Sequence, residues 1–189
     1  MTPRDVNTLP SPAIRPSRSD EIDIMTGIIN AAAEAYRGVI PPDRWHEPYM
    51  PEAELLSEIE AGVRFVCCEI DDAVVGVMGI QTVRNVDLIR HAYTLPGYQG
   101  RGVGSALIAH LRERTERPVL VGTWAAATWA VRFYERHGFR LVPEDLKPLL
   151  LRTYWRIPER QIETSVVLTT PQLSREDGVR LVENSQQRG

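Results

Sequence analysis

Cysteine is almost absent from the 189-residue chain: it has two, and they are neighbours, Cys67 and Cys68. Adjacent side chains on an extended strand point to opposite faces, so an ordinary disulfide between them is sterically poor. Free thiols acting as small strand hydrophobes, in a reducing compartment, are expected instead. His46, His91, His110 and His137 are scattered without metal-ligand spacing, and no metal is expected. No apolar run approaches membrane-spanning length, and the opening MTPRDVNTLPSPAIRP lacks the apolar core of a secretion signal. Charge excess is small as well, at −3. That argues against a nucleic-acid or anionic-membrane partner and mildly favours a cationic or amine-bearing one. A cytoplasmic protein is the expectation.

Hydrophobic content of 43% and charged content of 25% suit a globular chain, long enough for one domain with a real core. Residues 1–12, with Pro3, Pro10 and Pro12, read as a flexible lead-in. A short strand at Ala13–Arg15 precedes helical spacing at Met25, Ile28, Ile29, Ala32 and Tyr36, begun by Ser17, Ser19 and Asp20. Gly38 and Pro41–Pro42 stop that helix. Leu55, Leu56 and Ile59 mark a second, which ends at Gly62. The period then changes to two. Val63–Ile70, Val74–Val83 and Asp87–Leu95, separated by minimal turns, predict an antiparallel meander.

Val103, Leu107 and Leu111 predict a third helix, PVLVGT (from Pro118) a strand, and Ala125–Arg136 a helix stopped at Gly138. Phe139–Val142 reads as a strand, 143–156 as holding a helix weakened by Pro148, and Ile162–Leu168 as the last strand. The domain is therefore drawn over residues 13–168. Residues 169–189 form a polar tail, its REDGVRLVE a marginal helix or a mobile segment.

Within YTLPGYQGRGVGSALIAHL, Gly100, Gly102 and Gly104 stand at alternate positions just before a helix. Each is poor for helix formation by about 1 kcal/mol relative to alanine. A bare loop entering a helix suits phosphate, because the first amides lack partners and the helix dipole is positive there. Arg101 adds a cation. The mononucleotide pattern fails, since Gly104 is followed by Ser105 and Ala106 rather than Lys and Ser/Thr. The dinucleotide pattern fails too, since GRGVGSA spaces its glycines as G-x-G-x-G. A turn that merely permits tight packing is the alternative.

The second segment, TWAAATWAVRFYERHGF, changes the balance. Gln99, Gly102 and Gly104 form Q-x-x-G-x-G after Pro96, and A-x-x-F-Y-E-x-x-G-F follows from Ala130 to Phe139. Together, in this order, they resemble the GNAT superfamily of acyl-CoA-dependent N-acyltransferases, over roughly residues 13–168. The resemblance implies a mixed α/β fold, a central, mostly antiparallel sheet flanked by helices. It implies acetyl-CoA or coenzyme A as co-substrate. Gln99, Gly100, Arg101, Gly102, Val103, Gly104 and Ser105 would hold the pyrophosphate, and the backbone of Tyr93, Thr94 and Leu95 the pantetheine arm.

By the same resemblance Tyr134 matches the general acid that meets the departing thiolate. Its alternative is a tyrosine packed in the core. Ala127 stands where many members carry asparagine, and Ala127, Ala130 and Tyr134 would share a helical face open to pantetheine. A carboxylate base on the fourth strand is missing: Leu88 and Arg90 take that face, with His91 and Tyr93 expected opposite. His91 can relay a proton or be an ordinary strand histidine. Trp45, Glu47 and Tyr49 are candidates for an amine site, through cation–π contact and charge, or form a plug. The expected activity is acetyl transfer to a primary amine, in a small molecule or a peptide, with Tyr134 as acid. The alternative is a non-catalytic acyl-CoA binding or sensing module. Many relatives are dimers, so a homodimer is compatible.

Overall fold

The computed structural model describes residues 12–187, so nearly all of the lead-in lies outside the described residues. The alternating middle of the chain builds a seven-stranded sheet. Its strands are β1 (Ala13–Pro16), β2 (Arg64–Ile70), β3 (Ala73–Val83), β4 (Val86–Thr94), β5 (Val119–Trp124), β6 (Arg140–Leu141) and β7 (Ser165–Thr170). They lie in the order β1-β2-β3-β4-β5-β7-β6. Every neighbouring pair is antiparallel except β4 with β5. Parallel strands need a crossover, and the third helix, α3 (Val103–Arg112), supplies it.

Two layers cover the sheet. On one face α3 and α4 (Thr128–Arg136) bury Leu107, Ile108 and Tyr134 against Cys68, Met78 and Ile89. On the other, α1 (Ile22–Ala33) and α2 (Glu52–Glu60) bury Met25, Ile29 and Leu55 against Cys67 and Val77. Each such fully buried aliphatic side chain contributes roughly 1.5–3 kcal/mol. The two cysteines are free and do point into opposite layers. Burial pushes the Cys67 thiol up to about 12 and raises Cys68 too, so neither is a nucleophile near neutrality.

The C-terminal third differs from the sequence expectation. Residues Glu159–Thr164 form a helix, α6, and β7 begins only at Ser165 and runs to Thr170. The β-branched run Val166–Val167 pairs with β5, whereas Pro158 starts a turn of helix before it. Pro148 is harmless in α5 (Lys147–Tyr154), because it occupies the first turn, where no amide bond is lost. The polar tail forms a capped helix, α7 (Arg175–Gln186), with the Ser174 hydroxyl accepting from the Asp177 amide. Val182 of α7 is buried with Leu146 and Leu150. Gly178 is a packing requirement there, since a β-carbon would lie 2.3 Å from Leu146 Cδ2. No described helix is long and apolar enough to cross a membrane.

Candidate active site

The site begins with a fault in the sheet. Arg90 pairs with Gly79 and Tyr93 with Val77, so two residues of β4, His91 and Ala92, oppose Met78 alone. His91 takes the bulge, with φ of 48°. The bulge shifts the side-chain alternation by one. Tyr93 therefore shares the face of Leu88 and Arg90, contrary to the period-two expectation that set it opposite. His91 turns to that face too, its ring 5.9 Å from Phe65 and its Nε2 3.5 Å from a Glu58 oxygen.

Bent away by the bulge, β4 leaves β5. Their ladder covers only Asp87–Val119, Leu88–Leu120 and Ile89–Val121. Beyond it the two strands border a cavity of about 790 Å³, inside the usual range for small-molecule sites. Its lining comes from both faces of the sheet: Gly104 and Phe133 from the α3–α4 layer, Tyr36 and Leu151 from the other.

At one end lies the glycine loop. Gly100 and Gly102 have φ of 74° and 83°, and open space surrounds the place of their β-carbons. The first bond of α3 runs from the Ala106 amide to the Gly102 carbonyl. The Val103, Gly104 and Ser105 amides therefore have no intrahelical acceptor. Gly104 has a separate cause: a β-carbon there would meet the Phe133 ring at 3.1 Å. The tight-packing alternative thus holds for the third glycine, and backbone freedom for the first two. The Ser105 hydroxyl lies 2.9 Å from His137 Nε2, and His137 Nδ1 lies 2.7 Å from the Phe133 carbonyl. The end of α4 is thereby tied to the start of α3.

Helix α4 runs along the cavity from this tie to Trp129 at the other end, whose ring is 5.4 Å from Tyr36. Between the two stands Tyr134, only 6% exposed, edge-on to Phe133 and Phe139. Burial, and next the charge of Tyr36, hold its phenol well above the ordinary value. Tyr36, pushed up to about 12 by burial and by Tyr49, stacks on Tyr49 at 6.2 Å. Tyr93 packs edge-on to both and is raised well above 10, first by burial and then by Tyr49. The Tyr134, Tyr36 and Tyr93 phenols are therefore neutral donors at physiological pH.

Most candidates from the sequence meet here. His91, Tyr93, Thr94, Gln99, Gly100, Gly102, Val103, Gly104, Ser105, Ala130, Tyr134 and Tyr49 line the cavity. Five do not. Leu95 packs into the core and gives its amide to the Val75 carbonyl, so it has none for a ligand. Ala127 precedes the first turn of α4 and is fully buried against Ile40 and Trp124, so it does not share an open face with Ala130. Arg101 is exposed, its guanidinium 5.2 Å over the Tyr98 ring. Trp45 packs beneath Tyr49 and under Arg37, and Glu47 is an exposed partner of Arg37. Tyr36 and Trp129 were not expected in the site, yet both line the cavity. Glu58, held by Arg90 at 2.7 Å, reaches His91 only because of the bulge.

Residues 61–141 match the family model described as acetyltransferase (GNAT) domain. Among solved structures, a PaiA N-acetyltransferase from Thermoplasma acidophilum in complex with coenzyme A is 15% identical. It superposes with a TM-score of 0.64 over 84% of this chain and 98% of its own. A GNAT-family acetyltransferase from Staphylococcus aureus Mu50 gives 0.63 at 16% identity, over 84% and 98%. N-acetylglutamate synthase from Neisseria gonorrhoeae, solved with coenzyme A and L-arginine, gives 0.53 at 22%, over 84% of this chain but 32% of that one. No curated protein matches. The fold, a mixed sheet with helices on both faces, is the one these acetyltransferases share. Residues 61–141 are thus similar to an acetyltransferase (GNAT) domain, and the fold around them is that of these solved acetyltransferases.

Proposed function

We propose that the chain transfers an acetyl group from acetyl-CoA to a primary amine by direct attack, with Tyr134 as the acid. One observation carries this reading: the unpartnered amides of the glycine loop and the buried Tyr134 phenol open onto one cavity, one turn of α4 apart from the Ser105–His137 tie. The site also fits the co-substrate's shape. Gly100 and Gly102 leave a cradle that side chains would fill, and Arg136 adds positive charge beside it. Acetyl-CoA supplies a thioester carbonyl for the amine to attack.

The residues then have separate tasks. The Gly102–Ser105 amides and the positive end of α3 hold the pyrophosphate. The edge of β4 freed by the splay, at Tyr93 and Thr94, offers backbone groups to the pantetheine arm. As the amine nitrogen bonds to the carbonyl carbon and the carbon–sulfur bond breaks, Tyr134 donates its proton or a hydrogen bond to the sulfur. The proton lost by the amine passes to water or to His91, whose Nε2 lies 3.5 Å from Glu58.

Calorimetric titration with coenzyme A tests the reading, on the native chain and on Gly102→Glu. A carboxylate facing the pyrophosphate weakens binding by about 100-fold or more, which is about 2.7 kcal/mol. Absence of binding by the native chain, or unchanged binding by the variant, overturns it.

A further inference from the structure

Building on that acetyl-transfer reading, we propose that the acceptor is an amine carried on an aromatic or other flat apolar body, not a polyamine and not an amino acid. The cavity has two chemically different ends. The α3 end offers amides and Arg136. The far end, past Tyr134, is walled by Tyr36, Tyr49, Tyr93, Trp129 and Trp155. Three of these rings form one mutual packing group, with Tyr36–Tyr49, Tyr36–Tyr93 and Tyr49–Tyr93 centroids 6.2–6.5 Å apart. Trp129 closes on Tyr36 but stays 43% exposed at the mouth. Its indole is thus open at the rim of the cleft, continuous with the packed rings behind it. Leu151 and Ile157 add apolar lining in the same cluster as Trp155.

Charge excludes the other amines. A polyamine needs carboxylates spaced along its chain, and none lines the cavity among the described residues. The carboxylates of the flanking segments are held in ion pairs outside the lining: Glu47 and Glu34 share Arg37, Asp43 pairs with Arg160 and Glu58 with Arg90. An amino acid needs a free cation for its α-carboxylate. Arg90 lines the cavity, but its guanidinium is spent on both Glu58 oxygens and on Gln81. Arg136 stands at the phosphate end. Rings remain, and rings select flat apolar bodies while tolerating an approaching ammonium on their faces.

The experiment uses the full chain with acetyl-CoA and three acceptors, 2-phenylethylamine, spermidine and L-glutamate, and reads thiol release. In parallel, calorimetry reads 2-phenylethylamine binding to the coenzyme A-loaded chain. Expected is a kcat/KM for 2-phenylethylamine at least about 100-fold above both others. Trp129→Ala is expected to raise its KM about 10-fold with coenzyme A affinity unchanged. Preference for spermidine or L-glutamate overturns the inference while leaving acetyl transfer standing. Binding of 2-phenylethylamine without transfer supports the pocket and overturns the transfer reading. Neither binding nor transfer of it overturns the inference.

Discussion

Replacing Tyr134 by phenylalanine removes one oxygen and leaves the ring in place. The ring's packing against Phe133 and Phe139, at 5.1 and 5.6 Å, is therefore retained. The hydroxyl is not among the buried unpartnered polar atoms of the described residues, and Tyr134 lines the cavity. Removing a hydroxyl that serves the cavity rather than the core costs the fold little. Truncation to alanine, by contrast, costs about 3–5 kcal/mol through the cavity it leaves. If Tyr134 serves the departing thiolate, the phenylalanine variant loses about 10²–10⁴-fold in kcat, or about 2.7–5.5 kcal/mol of barrier. Coenzyme A affinity should stay within about twofold, because the pyrophosphate contacts lie on α3. Three measurements on one preparation decide it: thiol release under saturating acceptor, coenzyme A calorimetry and thermal unfolding. Full kcat in the variant, with binding and melting temperature intact, refutes the role.

Three further outcomes follow. With the Tyr134 phenol held above its ordinary pKa, the protonated donor persists through pH 10, so no descending limb in kcat below that pH should belong to it; a limb near pH 8–9 that vanishes in Tyr134→Phe contradicts the burial argument. Gly178→Ala would normally gain about 1 kcal/mol in a helix, but its β-carbon would lie 2.3 Å from Leu146, so a loss of about 1–3 kcal/mol is expected in denaturant unfolding, and a gain disproves the packing. Glu21, held by Arg15 and the Arg18 amide, has its carboxyl lowered from 4.5 to about 2. The stability this adds is complete above pH 4.5 and lost as pH falls towards 2, on the order of 2 kcal/mol after allowing for solvent screening. Glu21→Gln should flatten that acid limb in a stability–pH series, and an unchanged slope would falsify the assignment.

Glu21 also shows how a local pattern misplaces a terminus. Ser17, Ser19 and Asp20 look like caps, yet the residue at the start of α1 is Glu21, with no side-chain cap, its carboxylate spent instead on Arg15 of β1 and the Arg18 amide. Arg15 in turn reaches Glu69 of β2, 54 residues away, and that partner is invisible to a window of a few residues. The expected strand at Ile162–Leu168 is displaced towards the C-terminus for a related reason. Ser165–Thr170 is extended because β5 is there to pair with it, and the residues before it, without such a partner, become helical.

What the sequence determined by itself is local chemistry. Three glycines before a helix, a tyrosine one turn before a capping Gly138, adjacent cysteines on a strand and a meander with tight turns all depend on residues within a few positions of each other. Backbone freedom and alternation act at that range. Only the tertiary structure decided the bulge at His91, because nothing in the composition of β4 forces it. It arises when Gly79 and Val77 of β3 settle opposite Arg90 and Tyr93. That one-residue slip moves Tyr93 across the sheet and sets His91 beside Glu58 of α2, while Tyr36 and Trp129 join the cavity from two further elements. Strand register is a contest between distant segments for one buried face, and its outcome is settled by packing.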